Sequence, residues 1–313
     1  MKKRGRTFWK DWHAVVAIIL APIIVGLCVA LYASTQHVPV FDPRGSVASQ
    51  EKDLILFTLA LSTIVVIPVF VMLGVFAWRY REHNTKSLYT PDAEGNRWLE
   101  LLWWGIPIAI IVVLSVVTWV STHQLDPNRP LKSNIKPLSV QVVALQWRWL
   151  FIYPEQRIAT MNELVIPAGT PVNFLVTADG PMSAFWIPSL GTQVYAMTGM
   201  TSKLSLIADH QGNFRGSNSN ISGKGYSDMH FNVKSLASRS DFDAWAQALN
   251  NRPYHEHIGW TEYQTVAKPV INTSVQYLHL HDVDLFDRIV DKYMHSDTTT
   301  TKNHSYSHEG HGG

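Results

Sequence analysis

LLWWGIPIAIIVVLSVVTWVSTHQL, residues 101–125, contains no Asp, Glu, Lys or Arg and consists mostly of Val, Ile, Leu and Trp. Residues 54–78, LILFTLALSTIVVIPVFVMLGVFAW, have the same character, as do residues 12–41. A bilayer core is about 30 Å thick and takes about 20 apolar helical residues to cross. Each stretch is long enough, so two or three membrane helices are predicted. From about Asp126 onward the chain becomes mixed, polar and rich in turn residues, as expected of a water-exposed domain. Average composition hides this segregation: 46% of the 313 residues are hydrophobic and the formal net charge is +2. That near-neutral balance argues against a nucleic-acid or polyanionic partner. The single cysteine, Cys28, excludes an intramolecular disulfide, a multi-cysteine zinc site and any centre bridged by two thiolates of this chain.

Positive charge marks the cytoplasmic ends. Lys2, Lys3, Arg4, Arg6 and Lys10 precede the first stretch, and Arg79, Arg81, Lys86 and Arg97 lie between the second and third. The intervening Phe41–Asp53 segment carries only Arg44 and Lys52 against Asp42, Glu51 and Asp53. Orientation follows: amino terminus inside, everything beyond the third stretch outside, which in a bacterium is the periplasm. The first stretch reads as a retained helix, as a cleaved signal with small residues near Ala33-Ser34, or as a lipoprotein leader modified at Cys28. All three leave the polar domain outside.

Asp126-Pro127-Asn128-Arg129-Pro130 forms a stiff linker. Short β-type runs follow: Leu138, Val140 and Val142 alternate with polar residues, as do Val172, Phe174 and Val176 after the turn at 167–171, with further runs at 203–208 and 229–233. They predict an antiparallel sandwich or small barrel. Helical patterns appear later. Ser240 is placed to cap a helix with Phe242, Trp245, Ala246 and Leu249 on one face, and Asp284 to start another with Leu285, Ile289 and Met294 inward. The tail from His295 carries His304, His308 and His311 among Thr and Gly; it reads as a disordered segment or as a binder of transition metals. The domains expected are a signal or extra helix (1–40), a two-helix membrane hairpin (41–125), a β-domain (126–235), a helical extension (236–294) and the tail (295–313).

Two clusters carry chemistry or packing. Gln146-Trp147-Arg148-Trp149-Leu150-Phe151-Ile152-Tyr153 is a core strand with Arg148 reaching solvent, or an aromatic docking surface at the headgroups. Phe185-Trp186-Ile187-Pro188 and the Gly/Ser/Asn-rich 214–229 segment, ending at Met229, read in isolation as strand ends and a surface loop.

Taken in order, two spans, an external β-domain, a Gln-Trp-x-Trp strand, Phe-Trp-Ile-Pro and a Gly-rich loop ending in Met resemble subunit II of the haem–copper terminal oxidases. The opening of the third stretch, from Asn96 to Pro107, matches the second family helix, and the likeness runs from about Phe41 to Met294. It implies a cupredoxin-like sandwich. In the cytochrome c-oxidising branch that fold holds a dicopper centre on two Cys, two His, a Met and a backbone carbonyl, soft ligands suited to copper electron transfer. At the matching positions this chain has Ser183, Asn218, Asn220, Ser222 and Tyr226, and only Met229 is kept. Hydroxyls and amides do not bridge copper ions as thiolates do, so a metal-free domain is expected, with no metal or redox cofactor in this chain.

The same loss is a mark of the quinol-oxidising branch. Residues 41–45, 153–160 and 191–197 look like subunit II of the cytochrome bo-type ubiquinol oxidases, although Cys28 lies fourteen residues ahead of Asp42, farther than the lipidated cysteine of family members. The resemblance implies a non-redox subunit of a proton-pumping ubiquinol oxidase. Its partners would be subunits I, III and IV, membrane lipid and the ubiquinol bound by the complex, with haems and copper in subunit I. Glu100, at the cytoplasmic edge of the third stretch, is a carboxylate stabilised by the helix dipole or, by the resemblance, the mouth of a proton path. The alternatives are a copper-containing cytochrome c oxidase subunit II and a membrane-anchored periplasmic binding or sensor module.

Overall fold

The computed structural model describes residues 39–81, 95–131, 133–252, 256–271 and 274–294, together with Ile24, Gly26, Cys28, Leu31 and Tyr32. Most of the first apolar stretch and the whole tail from His295, with its histidines, lie outside the described residues.

Two long helices carry the second and third apolar stretches, α1 (Ser46–Arg79) and α2 (Arg97–Gln124). At 1.5 Å per residue both exceed the thickness of a bilayer core, and their side chains face outward along nearly the whole length. Several of their hydroxyls bond back to the helix backbone, as lipid favours: Thr63 donates to Leu59 O at 2.8 Å, Ser115 to Ile111 O at 2.7 Å and Ser121 to Val117 O at 2.7 Å. Asn96 caps α2, its Oδ1 accepting from Trp98 N at 2.9 Å.

The chain divides into two compact units, Met1–Asp42 with Lys52–Gln124 and Pro43–Glu51 with Leu125–Gly313. The hairpin expected over 41–125 is therefore corrected at its start. Pro43–Glu51 belongs to the β unit: Arg44 N donates to Ser189 O at 2.7 Å, Ala48 N donates to Leu190 O at 3.1 Å, and Val47 lies in the core. Gly45 permits this approach, since a Cβ there would stand 2.4 Å from Ile207 O.

The strands are β1 (Leu138–Ala144), β2 (Trp149–Tyr153), β3 (Ile158–Met161), β4 (Glu163–Pro167), β5 (Val172–Ala178), β6 (Ser183–Trp186), β7 (Val194–Ala196), β8 (Ser202–Leu206), β9 (Gly212–Asn218), β10 (His230–Leu236), β11 (Glu256–Ile258) and β12 (Gln276–Leu280). Helices α3 (Arg239–Asn250), α4 (Trp260–Val266) and α5 (Leu285–Met294) fall among the last of them. A seven-stranded sheet, β11-β12-β3-β2-β1-β5-β8, faces a five-stranded one, β4-β10-β9-β6-β7. Most pairings are antiparallel; β1–β5, β4–β10 and β11–β12 are parallel.

Burial on both faces explains the unbroken apolar run of β2. Trp149, Phe151 and Tyr153 point into the inter-sheet core with Phe174, Phe185 and Phe231. Leu150 and Ile152 point the other way, onto Tyr263 of α4 and Leu285, Phe286 and Ile289 of α5. The docking-surface reading of 146–153 is thus overturned in favour of core packing, and Arg148 is buried rather than solvated. Segment 236–294 is also more than a helical extension, because β11 and β12 lengthen the large sheet. Their apolar positions are too few for a periodic signal; pairing of β12 with β3 supplies the missing partner. The cap of α3 is Ser238, not Ser240, with its Oγ accepting from Asp241 N at 3.2 Å. Met294 is exposed, and Phe286 and Val290 complete the inner face of α5 instead.

Candidate functional site

The sandwich brings together four of the six positions matched to a metal site. Ser183 opens β6, Asn218 closes β9, Ser222 sits in the loop that follows, and Met229 precedes β10. The hub is the buried Asn218 amide. Its Oδ1 accepts from Ala184 N at 2.8 Å and from Asn220 N at 3.0 Å. Two backbone donors fix which amide atom is the oxygen. The Nδ2 group then faces Ser222 Oγ at 2.9 Å, Ser183 Oγ at 3.4 Å and Met229 Sδ at 3.6 Å. Asn218 N closes the ladder on Met229 O at 2.9 Å, and Trp149 Nε1 reaches the same carbonyl at 3.4 Å.

The side chains of Asn220 and Tyr226 serve the frame rather than the hub. Asn220 Nδ2 donates to Met182 O at 2.8 Å, tying the loop to the start of β6. Tyr226 begins a 3-10 turn (Tyr226–Asp228), its carbonyl accepts from Met229 N at 3.2 Å, and its half-buried ring packs on the core. Glu100 lies in the other unit, exposed in the first turn of α2.

A copper ion does not fit this arrangement. Cations need lone pairs turned toward them, and here an N–H group is aimed at the thioether and both hydroxyls. The donors are neutral and, apart from sulfur, hard, the wrong class for a soft-ligand copper centre. What the cluster does is satisfy buried polar atoms and lock three chain segments, at β6, β9 and the 219–229 loop, around one amide.

A second buried cluster escaped the sequence reading. Asp179, just past β5, accepts from Tyr263 Oη at 2.5 Å, from Lys292 Nζ at 2.8 Å and from the hydroxyl of Tyr293. Burial alone would raise the Asp179 carboxyl; the bonds from Lys292, Tyr263 and Tyr293 outweigh it and hold the group below its ordinary range. Burial, then the carboxylate, drives Tyr263 and Tyr293 well above the usual phenol range. These partners stand 84 to 114 residues from Asp179, so no local pattern signals them.

Comparison with known proteins identifies the chain's relatives. The family described as "Cytochrome C oxidase subunit II, periplasmic domain" matches residues 154–236, and "COX Aromatic Rich Motif" matches residues 255–297. "Cytochrome bo(3) ubiquinol oxidase subunit 2" of Pseudomonas putida is 48% identical over 254 residues, covering 81% of this chain and 80% of that one. "Ubiquinol oxidase subunit 2" of Acetobacter aceti is 41% identical over 270 residues, covering 86% and 87%. Among solved structures, the periplasmic domain of subunit II of cytochrome oxidase of Bradyrhizobium japonicum aligns with a TM-score of 0.36 and 21% identity, over 38% of this chain and 96% of that chain. With such relatives aligned along four-fifths or more of its length, the chain belongs, as a membrane-anchored member, to the family of subunit 2 of the bo-type ubiquinol oxidases.

Proposed function

We propose that this chain is a non-redox, metal-free subunit of a proton-translocating ubiquinol oxidase. The complex oxidises ubiquinol and reduces O2 to water in subunit I, which holds the haems and the copper. The protein spans the bacterial inner membrane with its sandwich in the periplasm, beside subunits I, III and IV. One observation carries the reading: the position of a copper centre is filled by an amide hub whose N–H group points at the surviving thioether. Electrons that arrive from a membrane quinol need no external copper port. The experiment is a choice of donor. The purified complex is expected to turn over with ubiquinol and to ignore reduced cytochrome c, and added Cu(II) is expected to leave no stoichiometric copper on this chain. Turnover with reduced cytochrome c, or a mixed-valence dicopper spectrum from this polypeptide, refutes the proposal.

Glu100 is assigned to the mouth of a proton path into subunit I. Ionisable groups at a membrane boundary commonly mark such paths, and the carboxylate is exposed at the start of α2. Glu100→Ala is expected to slow proton uptake and turnover severalfold while the complex still assembles. Unchanged turnover at saturating quinol removes the assignment.

A further inference from the structure

Helix α2 carries a trough along the outer half of one side. Ile111, Leu114, Ser115, Thr118, Trp119 and Thr122 line a hollow of about 460 Å³ that ends at His123. Steps of three and four put these positions on a single stripe. It is the polar side of an otherwise apolar helix. Ser115 bonds back to Ile111 O, whereas the hydroxyls of Thr118 and Thr122 bond to no described residue. The opposite stripe is Val113, Val116, Val117 and Val120. Lipid tails match a valine surface, but hydroxyl and imidazole groups at membrane depth face another helix.

The compact unit that contains α2 also contains Met1–Asp42. Within that unit no residue of α1 lines the trough, and the α1–α2 connection lies at the inner end. What remains is the first apolar stretch, residues 12–41. Ile24, Cys28, Leu31 and Tyr32 within it are helical and exposed. Helical spacing puts these four on one side and leaves Ala30 and Ala33 for the other, where small side chains let membrane helices approach closely. The outer ends of the stretch and of α2 enter the same β unit: Arg44 N, just past Phe41, donates to Ser189 O, and Leu125, just past α2, packs on the core. Both run from inside to outside and close on the same residue types, Ser34-Thr35-Gln36-His37 and Ser121-Thr122-His123-Gln124.

We propose that the first apolar stretch is retained in the mature protein as a third membrane-spanning helix and that it fills the α2 trough. Levelled at their outer ends, residues 25–37 lie opposite residues 111–123. The short connection from Phe41 to Ser46 holds the stretch beside the hairpin at high effective concentration, which favours it over a separate helix or a lipid making equal contacts. Cleavage near Ala33, or processing to a lipidated Cys28, would remove the stretch and leave Thr118 and Thr122 facing hydrocarbon. The proposal is independent of the assignment of this chain to an oxidase complex.

Two measurements on the full chain, expressed with its oxidase in its own membrane, test it. Peptide mass spectrometry of the mature chain is expected to recover residues 12–27. A photoreactive residue at Thr118 is expected to couple to a peptide within residues 12–41, and one at Val120, on the valine stripe, severalfold less. Ile111 carries the same expectation as Thr118 and serves where replacement of Thr118 disturbs folding. A mature chain that begins at Cys28 or after Ala33 overturns the proposal. So does a chain that keeps the stretch but couples from Thr118 and Ile111 to lipid, to quinone or to another polypeptide, or couples to the stretch equally well from Val120.

Discussion

Asn218 shows how one buried side chain joins distant segments: five hydrogen-bond contacts to its amide tie together β6, the end of β9 and the loop that follows. Removing the amide leaves Ala184 N and Asn220 N without their acceptor and opens a small void beside Met229. Asn218→Ala is therefore expected to destabilise the protein by about 2 kcal/mol, read as a lower denaturant midpoint of the detergent-solubilised chain. A change within a few tenths of a kcal/mol would show that solvent already satisfies the two amides. Sequence reading places Ser183, Asn218, Ser222 and Met229 in a common site only through family resemblance. Ser183 and Asn218 are 35 residues apart, and neither residue type alone signals a site.

Among the elements, helix α3 separates what is local from what is not. Its inward face, Phe242, Ala246 and Leu249, is legible from spacing alone and is buried. The cap is less legible, because Ser238 and Ser240 are both good N-cap residues and lie 2.8 Å apart in the fold. Ser238 takes the role because its extended backbone, at φ −148 and ψ 168, aims Oγ at Asp241 N. Ser238→Ala is expected to cost about 1 kcal/mol and Ser240→Ala a few tenths at most; thermal unfolding of the two variants side by side checks the order. Strand β2 makes the same point differently. Its run of apolar residues fits any buried element, and only the layer of α4 and α5 on its far face accounts for Leu150 and Ile152.

Across the whole β unit, Asp179 ties the carboxy-terminal helices to the sandwich. Its carboxylate gathers bonds from α4 and α5, and Asp179 N donates to Ala144 O at 2.9 Å at the end of β1. Its pKa is lowered in the folded protein, so the stabilisation is fully present above the ordinary carboxylate pKa and is lost as pH falls through the lower, folded value. Acid is thus expected to loosen α5 before the sandwich. Asp179→Asn is expected to cost about 2 kcal/mol at neutral pH and to remove the acid-dependent step in hydrogen exchange over residues 285–294. Persistence of that step in the variant would place the acid sensitivity elsewhere.

By itself the amino-acid order determined the membrane anchoring, the presence of a β-domain beyond Asp126 and the exclusion of a two-thiolate centre. Each of these depends on composition within a short window or on a residue type that is simply missing. Tertiary structure decided the rest: that Pro43–Glu51 joins the sandwich, that β11 and β12 extend its large sheet, that Arg148 is buried, and that Asp179 meets Tyr263, Lys292 and Tyr293. Those features are pairings between distant segments. Their energy comes from burial and hydrogen bonds that exist only after the chain has closed on itself, so no local period carries them.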